Sequence, residues 1–133
     1  MTTHDMPTTG DLTALLEPLK ALANPVRLQV LQWLRDPEDH FPVNPEVTDP
    51  RRVGVCVSHI QAKTGLAQST VSAYMATLER AGLVRSTRVG KWTHYRRDEE
   101  HIAWLVEELR GGVGSAGGAG DTAEGLDLLE TVS

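Results

Sequence analysis

The run of elements between residues 57 and 96 constrains this chain more than any other feature. Residues 57–63 carry Val57, Ile60 and Gln61 at helical spacing and stop at Thr64-Gly65. After Leu66-Ala67 a second helix is expected over 68–81, its apolar positions Val71, Tyr74, Met75 and Leu78 falling three and four apart. Gly82 ends it. Two β-rich runs, 83–88 and 92–96, then flank Val89-Gly90-Lys91, a spacing that closes a hairpin with glycine at its turn. The expected class is α+β, mainly helical.

The flanks are helical as well. Leu12, Leu15, Leu16, Leu19 and Leu22 form one apolar stripe from Asp11 onward, which Pro18 is expected to kink or divide. Asn24-Pro25 restarts a helix, since asparagine accepts orphan amide protons and proline tolerates the first helical position; Val26, Leu28, Val30, Leu31 and Leu34 follow to about Arg35. Four prolines between 36 and 55 (Pro37, Pro42, Pro45, Pro50) predict a long loop leading to a strand at 53–55. Asp98-Glu99-Glu100 opens a last helix with Ile102, Leu105, Val106 and Leu109 on one face. The expected organisation is a flexible segment 1–10, one domain over 11–110 and a glycine-rich, acidic, disordered tail over 111–133.

The net charge of −5 conceals a segregation. Residues 1–50 carry three basic and eight acidic side chains, 51–97 nine basic and one acidic, and 98–133 one basic and nine acidic. Such a basic middle is the footprint of a phosphate-binding surface that the whole-chain charge hides. It coincides with two helices about a glycine-containing turn and a hairpin directly behind them, which is the order of a winged helix-turn-helix. Gln68, Ser69, Thr70 and Ser72 begin the second helix with short hydrogen-bonding side chains, as a helix end that approaches base edges in the major groove requires. Lys63 and Tyr74 are expected near the backbone, and Arg85, Arg88 and Lys91 on phosphates or in the minor groove. The rival reading is a winged-helix module whose basic face takes an acidic protein partner.

Three segments, Leu19-Lys20-Ala21-Leu22-Ala23-Asn24-Pro25-Val26-Arg27-Leu28, Gly65-Leu66-Ala67-Gln68-Ser69-Thr70-Val71-Ser72 and Leu78-Glu79-Arg80-Ala81-Gly82-Leu83-Val84, occur in the order found in the ArsR/SmtB-type winged helix-turn-helix repressors, which the chain resembles over roughly residues 11–110. The resemblance implies a homodimer joined through its first and last helices and reading a palindromic double-stranded DNA operator; Leu12, Leu15, Leu19, Ile102, Leu105 and Leu109 make more apolar surface than a domain this small covers alone and are expected at the interface. Many members sense a metal through a Cys-x-Cys segment before the recognition helix, but here Ser58 stands at the second cysteine position. Cys56 with His59, and Asp98 with His101 on the last helix, are incomplete ligand sets, so no cofactor and no tightly held zinc-class metal is expected. The signal is instead expected to be a small molecule, thiol chemistry at Cys56, at the N-cap of its helix, or the long loop from Asp36 to Arg52, and a metal- or thiol-responsive sensor using Cys56 and His59 is the alternative reading.

No catalytic constellation is present: there is no phosphate-binding glycine loop, nucleophile elbow or His-Glu-x-x-His, and an enzyme is not expected. Trp33 and Trp104 are expected as core or interface anchors, Trp92 in the hairpin, and His94 on the wing surface. The single cysteine excludes an internal disulfide, no apolar run reaches membrane-spanning length, and the opening Met1-Thr2-Thr3-His4-Asp5 lacks signal-peptide character, so a cytoplasmic location is expected.

Overall fold

The computed structural model describes residues 12–42 and 49–113. A 3-10 turn, Leu12–Leu15, leads into α1 (Leu16–Leu22), so the expected first helix is divided just ahead of Pro18. Pro18 then falls within the first turn of α1, where an amide proton would have no intrahelical acceptor. α2 spans Pro25–Arg35, and the Asn24 side chain accepts from the amides of Val26 and Arg27, both at 3.0 Å. Arg27 turns back to donate through Nε to the Ala21 carbonyl at 2.7 Å, satisfying the end of α1.

The proline-rich stretch differs from the expected plain loop. Pro37 and Pro50 each begin a short helical turn, α3 (Pro37–His40) and α4 (Pro50–Val53). Proline forbids a helix running through it, yet its fixed φ suits the first helical position, so the same residues that break a long helix start short ones. The following strand, β1, is Val55–Cys56 rather than 53–55. Gly54 sits between α4 and β1 at φ +106, and a Cβ there would lie 2.5 Å from the Tyr95 carbonyl carbon and oxygen, so glycine is what lets the chain approach the neighbouring strand.

α5 (Val57–Thr64) and α6 (Gln68–Arg80) follow the predicted spans, and β2 (Val84–Val89) and β3 (Trp92–Arg97) form the hairpin. Val89 pairs with Trp92 across a two-residue Gly90-Lys91 turn, with Gly90 at φ +62. β1 adds antiparallel to the other side of β3, giving a sheet ordered β1-β3-β2. α7 (Glu99–Gly112) closes the described fold and runs on through Gly111 and Gly112. The expected tail from residue 114 onward, and the expected flexible segment 1–10, lie outside the described residues.

The core is where α5, α6 and the root of β2 meet. Ile60, Val71, Met75, Leu78, Leu83 and Val84 are fully buried, with Val30, Leu31 and Leu34 of α2 and Leu105 of α7 packed around them. This packing fixes how α6 and the wing are presented. No helix among the described residues is long and apolar enough to cross a membrane.

Candidate nucleic-acid interface

α6 buries Val71, Met75 and Leu78 and turns the opposite face outward. Gln68, Ser69 and Ser72 are exposed and Thr70 is half-buried, so the row expected at base edges stands on the free side of the helix start. The N-cap is Ala67, which offers no side-chain acceptor, so the first turn of α6 has no side-chain cap. Such an end attracts anions through its orphan N–H groups and the helix dipole. Ser86 donates to Glu79 at 2.7 Å, tying β2 to α6.

The basic residues divide into free and engaged groups. Arg88 and Lys91, near and at the hairpin tip, are exposed and make no ion pair with the described residues. Arg85 lies at the other end of the strand, and its Nε donates to the Asp98 carboxylate at 2.9 Å. The second Asp98 oxygen accepts from the His101 amide at 3.0 Å, capping α7. Burial pushes the Asp98 carboxyl up, but the His101 amide bond, the bond and charge of Arg85 and the charge of His101 outweigh it and hold the group below its ordinary value. Lys63 is exposed, with its Nζ 4.9 Å above the Trp33 ring and 6.0 Å from that of Phe41, and the half-buried Tyr74 ring is covered by the Arg27 guanidinium at 5.2 Å.

The metal candidates are not gathered. Among the described residues no three of His, Cys, Asp and Glu come together in a ligand-like group. Asp98 spends both oxygens on Arg85 and the His101 amide, while the His101 ring lies against Gly82 and stacks at a tilt 5.1 Å from Trp104. Cys56 is buried at the N-cap of α5, its Sγ 3.1 Å from Ser58 Oγ, and His59 is half-buried.

His94 differs from expectation. It is buried, facing Cys56 across β1–β3 and Thr87 across β2–β3. A two-stranded wing would leave one edge of β3 open, but β1 makes β3 the central strand, and both His94 and Tyr95 are buried on it. Two-residue strands such as β1 carry too little alternation to be read from sequence.

The IclR helix-turn-helix domain matches residues 50–88, from α4 into β2. The "Uncharacterized HTH-type transcriptional regulator YbzH" of Bacillus subtilis (strain 168) is 48% identical over 95 residues, covering 71% of this chain and 94% of the relative. The "Putative arsenical resistance operon repressor ArsR2" of Halobacterium salinarum is 31% identical over 98 residues, covering 72% and 71%. The chain belongs to the ArsR-type winged helix-turn-helix transcriptional regulators. The homodimeric winged helix-turn-helix domain Mb0332 from Mycobacterium bovis, a possible ArsR-family regulator, superposes with a TM-score of 0.53 at 28% identity, covering 72% of this chain and 75% of that one. α6 is the second helix of the helix-turn-helix, and the β2–β3 hairpin directly behind it occupies the expected place of the wing.

Proposed function

We propose that this ArsR-type regulator is a repressor that binds a palindromic DNA operator as a homodimer. The observation that carries the reading is the pairing of an uncapped, polar α6 start, where Gln68, Ser69 and Ser72 are exposed, with a wing tip whose cations Arg88 and Lys91 make no ion pair among the described residues. The first group suits base edges in the major groove and the second suits phosphates or the minor groove. Arg85 supports the wing through Asp98 rather than offering a free charge, and the cation–π contact holds Lys63 beside the turn between the two helices. Dimerisation in the related Mycobacterium bovis domain supports a two-fold arrangement here.

Titration of the protein with its own upstream DNA and with random DNA at several salt concentrations tests the reading. Affinity is expected to fall by roughly 0.9 log unit per log salt for each phosphate contact while the preference for the operator persists. Arg88→Ala is expected to weaken every sequence and reduce the salt slope by about one contact, whereas Gln68→Ala relaxes the choice of base at a cost of about 1–3 kcal/mol. No preference at any salt, together with tight binding to an acidic protein, would instead make the basic face a protein-docking module.

A further inference from the structure

A second concentration of positive charge lies away from α6 and the wing tip. At the root of the wing, between the end of α2, the first residue of α3, α4, β3 and the start of α7, a cleft of about 190 Å³ is lined by Arg35, Arg51, Arg96 and Arg97, with Tyr95 and Glu99. Arg97 clasps Glu99 through two bonds of 2.8 and 3.0 Å and reaches the Leu31 carbonyl with its remaining nitrogen at 3.3 Å. Arg51 bonds Glu38 at 3.0 Å and lies 3.6 Å from Asp36. These two arginines hold three nearby acids. Arg35 has no side-chain hydrogen bond or ion pair with the described residues, and Arg96 commits only its Nε, to the Arg52 carbonyl at 2.8 Å. A complete guanidinium and the terminal amino groups of another are thus left at a cleft whose lining carboxylate, that of Glu99, is already matched.

We infer that this cleft binds a small oxyanion of two or more charges, of the phosphate type, held between Arg35 and Arg96. Planar guanidinium groups take tetrahedral oxyanions through paired N–H donors, and a compact dianion matches two of them. The cleft is smaller than the roughly 300–1,000 Å³ of pockets for drug-sized ligands, which favours an ion over a larger molecule. It is distinct from the proposed DNA surface. Arg96 pairs with Arg85 at the root of the hairpin, four residues from Trp92 at the tip, or about 14 Å along the strand. A bound dianion joins the end of α2 to the central strand of the sheet, and this inference does not depend on DNA binding.

The test is calorimetric titration of the full chain with inorganic phosphate, with sodium chloride at equal ionic strength as the blank. Saturable binding of one phosphate per chain is expected, weakened roughly tenfold or more by Arg35→Ala and by Arg96→Gln, and unchanged by Arg110→Ala on the outer face of α7. Circular dichroism checks that each variant folds; if loss of the Arg52 contact unfolds Arg96→Gln, the exposed Arg35 decides alone. Absence of saturable binding, or equal affinity in Arg35→Ala, overturns the proposal. So does a fall in DNA affinity in Arg35→Ala as large as that in Arg88→Ala, since the cleft would then be a nucleic-acid contact.

Discussion

Asp98 performs two tasks with one carboxylate: it caps α7 through the His101 amide and anchors Arg85 at the wing root. Its folded-state pKa lies below that of the unfolded chain, so the stabilisation is fully present above the unfolded value, near pH 4, and is lost as the pH falls through the folded value. Asp98→Asn keeps an oxygen for the His101 amide but removes the charge and turns an NH2 donor, in place of an acceptor, toward Arg85. Its thermal midpoint is therefore expected to be lower at pH 7 and to change less than that of the parent chain between pH 5 and 2, measured by calorimetry. Gly54 is a purely steric requirement. At φ +106, with the Tyr95 backbone 2.5 Å from the point a methyl group would occupy, Gly54→Ala is expected to cost about 2 kcal/mol or more in denaturant unfolding. An unchanged midpoint would show that β1 can move away from β3 without loss.

At the scale of elements, legibility follows how local each signal is. The caps of α2 and α7, the glycine stop of α5 and the span of α6 depend on neighbours within four residues, and Asn24, Asp98, Gly65 and Gln68 occupy the expected positions. Asn24→Ala is accordingly expected to cost about 0.5–2 kcal/mol, since two amides lose their acceptor at once. What sequence reasoning misses is non-local. His94 is buried because β1, some forty residues earlier, pairs with β3. Arg85 is engaged because Asp98 lies across the sheet end, thirteen residues away in the chain. The arginine cleft is hidden for the same reason, its four guanidinium groups coming from three separate elements, α2, α4 and β3. The one signal that points toward it is the excess of arginine within 51–97, which reads naturally as α6 and the wing tip although Arg51 lies on α4 and Arg96 and Arg97 at the root of the wing.

At the scale of the molecule, the expected dimer surface separates into two kinds of leucine. Leu15 and Leu105 are buried within the single chain, and Ile102 and Leu109 pack partly against its core, so these side chains first serve the protomer. Leu12, Leu16 and Leu19 remain open on the first elements, Leu12 at 55% and Leu16 at 53%, and Val106 is 48% exposed on α7. The two elements lie close enough that a Cβ on Gly112 would meet Leu12 Cδ2 at 2.7 Å, so their open residues belong to neighbouring stretches of one surface. Large side chains gathered in this way favour association, at about 25 cal/mol for each Å² of apolar surface removed from water. Sedimentation at micromolar concentration is therefore expected to give a dimer, and Leu12→Glu with Leu16→Glu a folded monomer, because neither position is needed by the core. The consequence for DNA follows from geometry. A dimer reads two half-sites about 34–36 Å apart at once, so the second half-site contributes at high effective concentration, and the monomeric double variant is expected to bind a full operator no better than a single half-site. Equal operator affinity in the dimer and the double variant would show that one copy alone supplies the recognition.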